Sequence, residues 1–470
     1  FYSNYIKNIM LNKLLLPSVI ILFLIKIIAL NLTTFNLFGD EAQYWLWSKD
    51  IDFGYFSKPP FLAWVIRVYT EIFGDGFIAL KLLPSFVYLL ISWSIYNLLI
   101  NSGLDKKDAL AGCLIFLFIP AVSFSSFIIS TDLFLLLFWT LSLNELIKIT
   151  KEQNLGSFIL LGIFLGLGFV AKYATIYFII CLVIFVLLDK KFRKVFFNNF
   201  LGFGLSLLFM FIIITPNIIW NINNDWITFK HTSDNANFAN IEINLIRGLE
   251  FLLIQVLMLG PFIVLGGLIS FNKINYKQKI FLIFSLPIIL IVLIEAVIVR
   301  ANANWAAPAL VSLYVCFYIG IYNSFLKIMN FIFNFAFCVI LFVMIATNYQ
   351  SNLFNRISGL NEYALKVYNT SSNMIVENIV VSNRLLFSSL SYELRDKNIN
   401  FYMPHRKNGK ITNHFKITSP LSKNMDENFT LIGDPSDINY LENEYKLVKH
   451  NSTFQKFIKR KLDVYEVIFE

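Results

Sequence analysis

Gly39-Asp-Glu-Ala-Gln-Tyr-Trp-Leu-Trp-Ser48, followed by Tyr55-Phe-Ser-Lys-Pro-Pro60 and Phe61-Leu-Ala-Trp64, decides how the rest of the chain is read. It joins an acidic pair, a lysine beside two prolines and a belt of aromatics. It follows directly on an apolar run at 13–33, long enough to cross a bilayer at about 20 residues per span. Carboxylates at the lip of a membrane helix are costly unless they act or stay wet. The stretch therefore reads as a working loop held at a membrane surface.

Working outward, the bulk numbers agree. The 470 residues are 57% hydrophobic and only 15% charged, with a mean hydropathy of +0.65, whereas about a quarter of a soluble domain is charged. The formal net charge is +9. The cations cluster in short loops between apolar runs, which is the pattern of topology determinants rather than of a nucleic-acid face, so no nucleic-acid partner is expected. Cys113, Cys181, Cys316 and Cys338 all lie inside apolar runs and form no disulfide framework. The chain carries no P-loop and no Gly-rich dinucleotide motif, so no nucleotide cofactor is expected. The first apolar run is too long for a signal-peptide core and is expected to stay as a membrane helix.

Further apolar runs stand near 77–100, 109–128, 131–149, 198–215, 249–270, 280–298, 305–322 and 329–347. The stretch 157–188 is interrupted by Gly162, Gly166, Gly168 and Lys172, and reads as two short helices turning at Ala171-Lys-Tyr173. The expected fold is a mostly α polytopic membrane protein of about 11 (10–13) transmembrane helices. Residues 1–348 form the membrane domain. Alternating loops separate the charges. One set carries Lys7, Lys13, Lys106, Lys107, Lys148, Lys151, Lys190, Lys191, Arg193, Lys194, Lys273, Lys277, Lys279 and Lys327. The other carries most acids, including Asp40, Glu41, Asp50, Asp52, Glu71, Asp75, Asp132 and Asp225. The positive-inside rule turns the acidic set outward, along with Lys172, a long loop at 216–248 and Arg300.

Within the first outer loop, 34–75, Asp40 is expected to cap a short helix through Tyr44 and Trp47. Pro59-Pro60 starts a second helix, with Phe61, Trp64, Ile66 and Val68 as its apolar side. Both are expected to rest in the membrane interface. From 349 to 470 the long apolar runs stop. Strands are expected at 374–381, 400–403, 429–432 and 464–469. A helix capped by Ser382-Asn383 carries Leu386, Leu390 and Leu394 on one face. The alternation predicts a small α/β extracytoplasmic domain.

Several residues are candidates for chemistry, each with an ordinary structural reading beside it. Asp40 and Glu41 read as a general base or metal ligands near a lipid-borne substrate, or as a helix cap with a solvated neighbour. Lys58 is a point charge suited to phosphate, or a snorkelling anchor. Asp132, in the short loop Ser130-Thr-Asp132, caps the next helix or faces Asp40. Lys172 and Arg300 suit a lipid phosphate, or simple anchoring. Asn302, Asn304 and Trp305 suit a sugar ring by hydrogen bonding and stacking, with Trp305 equally a belt residue. Tyr44 and Tyr55 of the organising loop join the substrate-binding candidates. Glu295 pairs with Arg300 or lines a cavity, His231 is a loop residue, and Lys26 and Lys81 snorkel or pair. Cations beside carboxylates at helix ends are what transfer from a phosphate-linked lipid donor needs: cations for the leaving phosphate, a carboxylate for the acceptor, and alignment of the two.

Gly39-Asp-Glu-Ala-Gln-Tyr44 with Ser57-Lys-Pro-Pro60 resembles the first outer loop of the GT-C membrane glycosyltransferases of family 39. These include bacterial aminoarabinose transferases of lipid A and dolichyl-phosphate-mannose–protein mannosyltransferases. Ser130-Thr-Asp132, Gly166-Leu-Gly-Phe-Val-Ala-Lys172-Tyr and Ala303-Asn-Trp-Ala-Ala-Pro308 are similar to later segments of the bacterial members. The resemblance implies a polyprenyl-phosphate sugar donor and an extracytoplasmic acceptor, with lipopolysaccharide, lipid A or another envelope glycan as the expected one. By motif it makes Asp40 the main acid, Lys58 a donor-phosphate contact and Asp132 the second-loop acid. It also implies a divalent metal ion, here on Asp40 and Glu41, or on Asp132 with help from phosphate. Ser57 departs from the family, replacing a glutamate that in the aminoarabinose transferases contributes to the metal site.

The expected protein is thus a glycosyltransferase of the bacterial inner membrane, with its active site and C-terminal domain outside. Protein O-mannosylation is the alternative within the enzyme class. A flippase for lipid-linked sugars is the alternative from another class. It would place ionisable groups and broken helices at the bilayer midplane in related halves, whereas here the charges gather at helix ends and no internal repeat is visible.

Overall fold

The structure, a computed structural model, describes residues 2–236, 241–271, 274–321, 324–373, 376–404, 411–422, 427–438, 440–441 and 444–467. The chain forms two compact units. The first comprises Phe1–Asn31, Lys58–Leu62 and Ile78–Met344; the second comprises Leu32–Ser57, Ala63–Phe77 and Ile345–Glu470.

The first unit is helical, as its apolar runs dictate: without water, backbone polar groups must be paired within the segment. Among the described residues seven helices are long and apolar enough to cross a membrane, or nine when each of two bent pairs counts as one span. This is a multi-pass membrane protein, and helices of that length number fewer than the expected spans, with Leu155–Ala171 apolar but shorter. The run at 109–128 accounts for part of the difference. It breaks into Lys106–Phe116 and Pro120–Ser125, because Pro120 starts a new helix rather than continuing the old one. The expected two-helix reading of 157–188 holds, as Leu155–Ala171 and Ile176–Leu188 joined by a turn at Tyr173–Thr175. The expected loop at 216–248 is largely helical. Phe200–Asn223 runs through Pro216, Ile227–Ala236 follows, and His231 lies on that second helix rather than in a loop.

Close packing depends on small residues. A Cβ on Gly162 would stand 2.2 Å from the Ser206 carbonyl oxygen, and one on Gly166 would stand 3.1 Å from the Met210 carbonyl oxygen, so Leu155–Ala171 and Phe200–Asn223 approach backbone to backbone at these glycines. The two lysines inside spans are buried and pair internally. Lys26 Nζ donates to Ser85 Oγ and to the Ser126 carbonyl, each at 2.5 Å. Lys81 Nζ donates to the Phe127 carbonyl at 3.1 Å and lies over its ring. Both cations thus satisfy carbonyls freed where the 117–130 segment leaves helical geometry.

The basic loops meet at one end of the unit. Lys151 donates to the Asn101 carbonyl at 2.5 Å, Lys277 to the Ser102 carbonyl at 2.7 Å, and Lys327 faces Asp108 at 3.7 Å. Lys273 lies outside the described residues.

The second unit is built on a five-stranded sheet: β1 (Asn378–Val381), β2 (Asn400–Tyr402), β3 (Phe429–Gly433), β4 (Leu447–Gln455) and β5 (Arg460–Val467). Their order is β2-β1-β3-β5-β4. The first three are parallel, and β5 runs antiparallel to both its neighbours. Val380, Phe429, Leu431 and Val467 fill its core. Residues 374–375 and 468–469, expected as parts of strands, lie outside the described residues. β4 was not expected: an edge strand reading Leu-Val-Lys-His-Asn-Ser-Thr-Phe-Gln is too polar to announce itself. The helix Arg384–Glu393 is capped by Asn383, whose side chain accepts from Leu385 and Leu386 N–H, and it buries Leu386, Leu390 and Leu394 as expected.

In the same unit the 34–57 part of the first outer loop packs on this helix. Helix Gly39–Trp47 lies against Arg384–Glu393, and a Cβ on Gly39 would stand 2.9 Å from Leu385 Cβ. Asn36 ties the approach: its Nδ2 donates to Glu393 at 3.1 Å and its Oδ1 accepts from Leu360 N–H at 3.2 Å. Asp75 closes the segment, accepting from Trp45 Nε1 at 3.2 Å and Lys49 Nζ at 2.9 Å, with Arg395 at 3.6 Å. Burial alone would raise the Asp75 pKa, but those donors and cations hold it below the usual carboxylate range. The second helix, Phe61–Phe73, buries Leu62, Ile66 and Tyr69 and exposes Val68. The expected apolar side was therefore turned by part of a helical turn, because at 3.6 residues per turn 62, 66 and 69 share a stripe and 68 does not.

Candidate active site

Two clusters carry the candidate chemistry, one in each unit. In the first, Asp132 sits in the first turn of helix Thr131–Glu152, where the helix dipole favours a negative charge. It is not the cap: that position is Ser130. Its two oxygens are both engaged, Oδ1 by Lys172 Nζ at 2.5 Å and Oδ2 by Asn304 Nδ2 at 2.9 Å. Lys172 reaches it because the chain leaves helix Leu155–Ala171 there in an extended conformation before the turn at Tyr173–Thr175. Asn304 comes from the short turn Ala303–Ala306 that opens helix Ala307–Gly320. Three segments far apart in sequence thus meet on one carboxylate, and all three residues had been singled out.

Arg300 and Asn302 are exposed and Trp305 is half-buried in the same turn region. No ion pair joins Glu295 and Arg300 among the described residues. Lys58 groups with the spans and is half-buried, while Pro59 and Pro60 beside it are buried.

In the second unit, Asp40 lies in the first turn of Gly39–Trp47, but Phe38 holds the cap position. The capping is done by Glu41, whose Oε2 accepts from Phe38 N–H at 2.8 Å in a fully buried position. The cap position therefore lies two residues before the expected Asp40, and the side chain that closes it one residue after. Asp40 keeps a carboxylate that is 38% exposed, with Arg384 Nη1 at 3.6 Å from its Oδ1. The same Arg384 nitrogen donates to Gln43 Oε1 at 2.5 Å. Arg384 was missed by sequence reading. Nothing local marks it, since it lies 344 positions after Asp40 (384 − 40) and only tertiary packing of the two helices joins them.

The two tyrosines turn inward. Tyr44 is buried and lies 5.5 Å from the Trp47 ring. Tyr55 is fully buried, stacks on Trp47 at 4.6 Å, and its hydroxyl donates to the Trp47 and Asp50 carbonyls. It ties the loop to itself.

The Asp40–Glu41 pair does not form a ready metal site. Adjacent helix positions point about 100° apart. Glu41 is committed to Phe38 N–H, and a guanidinium already faces Asp40. Among the described residues no group of three or more His, Cys, Asp or Glu converges.

Comparison with known proteins agrees with the resemblance read from the motifs. Residues 57–220 match the family described as dolichyl-phosphate-mannose-protein mannosyltransferase. A lipid A galacturonosyltransferase of Rhizobium johnstonii is 30% identical over 293 residues, covering 61% of this chain and 61% of that protein. A lipopolysaccharide core galacturonosyltransferase of the same organism is 26% identical over 202 residues, 42% of this chain and 40% of the relative. The chain thus spans less than two thirds of the length of these relatives. Among solved structures, ArnT from Cupriavidus metallidurans superposes with a TM-score of 0.68 in the apo state and 0.69 bound to undecaprenyl phosphate. The matches cover 96% of this chain and 97% of that one, at 13% and 12% identity. The fold is the GT-C fold of that protein.

Proposed function

We propose that this chain is a membrane glycosyltransferase that moves one sugar from a polyprenyl phosphate to a glycolipid of the cell envelope, lipid A or the lipopolysaccharide core. The observation that carries the reading is Asp40. It is a carboxylate more than a third exposed on a short helix, in a loose ion pair with Arg384 at 3.6 Å, in a chain similar to galacturonosyltransferases of lipid A and lipopolysaccharide core. Galacturonic acid is accordingly the first donor sugar to test.

Roles follow residue by residue. Asp40 takes the proton of the acceptor hydroxyl as its oxygen bonds to the sugar's anomeric carbon. The bond from that carbon to the lipid phosphate breaks, and the phosphate leaves with the electron pair. Lys58 and Arg300 neutralise the phosphate, and Asn302 and Trp305 contact sugar. Asp132, with both oxygens occupied, positions Lys172 and Asn304 rather than exchanging protons. Glu41 holds the helix that presents Asp40. The active site and the C-terminal sheet face the extracytoplasmic side of the inner membrane, with the lysine-rich end inside.

A second reading, protein O-mannosylation, has the family match at 57–220 in its favour. Mass spectrometry of envelope glycolipids and glycoproteins from a strain lacking the protein, complemented with wild type or Asp40→Asn, separates the two. A sugar missing from glycolipids and restored only by wild type supports the proposal. A sugar missing only from proteins supports the second reading. Full restoration by Asp40→Asn removes Asp40 from the reaction.

A further inference from the structure

The first unit carries a short helix that no role above uses. Lys190–Asn198 reads Lys-Lys-Phe-Arg-Lys-Val-Phe-Phe-Asn and turns 108° from the apolar helix before it. Its length is about 14 Å, less than half of a bilayer core of about 30 Å. One side of it is fixed to the spans. Phe192 is buried and stacks on Phe185 at 3.9 Å, and Phe196 lies 4.7 Å from Phe203. Asp189 caps the helix, accepting from Phe192 N–H at 2.7 Å and from the Tyr276 hydroxyl at 3.2 Å. Arg193 folds back onto the preceding helix, its Nε donating to the Val186 carbonyl at 3.0 Å and its Nη2 to the Leu187 carbonyl.

The side away from Phe192 is cationic. Lys190 and Lys194 are four residues apart and share one face. Lys191 stands beside them, over the Tyr276 ring at 5.4 Å. All three are exposed, and among the described residues no ion pair joins any of them to a carboxylate. Taken alone the arrangement is unfavourable. Like charges at this spacing repel, and cations in the first turn oppose the helix dipole. An anion on that face offsets both.

The neighbours set the depth. Leu187, Leu188, Phe197, Phe200 and Leu201 are between 62% and 84% exposed, and in a multi-pass membrane protein such side chains meet acyl chains. Lysines within a turn or two of them reach the level of the headgroups. A phospholipid supplies both needs together, hydrocarbon for the apolar residues and phosphate for the cations.

We propose that helix Lys190–Asn198 lies in the membrane interface and that Lys190 and Lys194 bind the headgroup phosphate of anionic phospholipids. Short amphipathic helices of this pattern lie in the interface plane, and basic segments beside a span attract anionic lipid. In the orientation proposed above the leaflet is the inner one. The binding itself does not rest on the transferase reading.

The test is hydrogen–deuterium exchange of the full chain in nanodiscs of dioleoylphosphatidylcholine alone or mixed equally with dioleoylphosphatidylglycerol. Amide exchange across 190–198 should slow about fivefold or more in the mixed discs, and raised salt should reverse the effect. Lys190→Gln/Lys194→Gln should abolish the difference. Lys106→Gln/Lys107→Gln, which removes two exposed lysines from another loop, should leave it within about twofold. Exchange elsewhere in the chain checks that each variant keeps its fold, and Lys194→Gln alone carries the test where the double variant does not fold. Equal exchange of the wild type in the two discs overturns the proposal. So does a difference that survives Lys190→Gln/Lys194→Gln, or one lost equally in Lys106→Gln/Lys107→Gln. The same slowing by inorganic phosphate in phosphatidylcholine discs replaces the lipid with a free anion and also overturns it. No outcome depends on turnover, so loss of the transferase reading leaves the lipid site standing.

Discussion

The clusters at Asp132 and at Asp40 use the same three kinds of group: a carboxylate, a cation and a side-chain amide. They differ in how finished they are. Asp132 has both oxygens bound, at 2.5 and 2.9 Å, and it and Lys172 expose only 12% and 17% of their side chains. Asp40 has its cation at 3.6 Å and more than a third of its side chain in the open, and the amide of Gln43 is bonded to the arginine instead. A carboxylate with both oxygens bound ties together the segments that bind it. One with a loose, exposed partner can still accept a proton. Motif reading made Asp40 the main acid and Asp132 the second-loop acid, and the geometry shows one loosely paired and the other bound at both oxygens.

The sharpest way to break this contrast is Asp40→Asn. Transfer should fall about 100- to 1,000-fold, the scale of a lost general base, while the melting temperature stays near wild type because an exposed pair holds little stability. An active Asp40→Asn enzyme would place the base elsewhere. Lys172→Met should do the opposite. Leaving a mostly buried carboxylate without its cation should cost about 2–4 kcal/mol of stability, after allowing for partial exposure. The Asp132→Asn/Lys172→Met double variant should regain at least half of that loss in a thermal-shift assay. Additive losses would show the pair to be uncoupled.

A pH titration sharpens the description of the second unit. His414 is held near a pKa of 4 by burial, below its ordinary 6.5. Between those values the unfolded chain binds a proton that the folded chain does not. Stability is therefore full above about pH 6.5 and falls as the pH drops toward 4, by on the order of 2 kcal/mol at pH 5. His414→Phe should flatten this part of the melting-temperature profile, and an unchanged profile would assign the acid sensitivity to other groups. The smallest expected effect is that of Arg384→Ala, which should lower transfer about three- to tenfold through misplacement of Gln43 and Asp40, with a stability change below about 1 kcal/mol. A loss as deep as that of Asp40→Asn would make Arg384 a direct participant.

Much of the fold was legible because membrane spans are long and their chemistry is uniform. The runs at 77–100, 131–149 and 329–347 are helices, and the break at Lys172 stands where three glycines and a charge interrupt an apolar stretch. The run at 109–128 has the composition of a span, but its backbone breaks before Pro120 into two shorter helices. The capping residue slipped from Asp40 to Phe38 and Glu41, because Asp is a good cap anywhere near a helix start and only geometry selects the position. β4 escaped because edge strands need not be apolar.

The sequence by itself determined the class of molecule and the candidate acids. Apolar length forces spanning helices, and the spacing of Asp40, Lys58, Asp132 and Lys172 places charges at helix ends. Tertiary structure decided what each charge does. It brought Lys172 and Asn304 onto Asp132, set Arg384 across from Asp40, turned Tyr55 into the loop and buried Trp47 Nε1 and His414 Nδ1 without hydrogen-bond partners. A residue type states which interactions a side chain is able to make. Which of them remain available is set by the packing of segments distant in the chain.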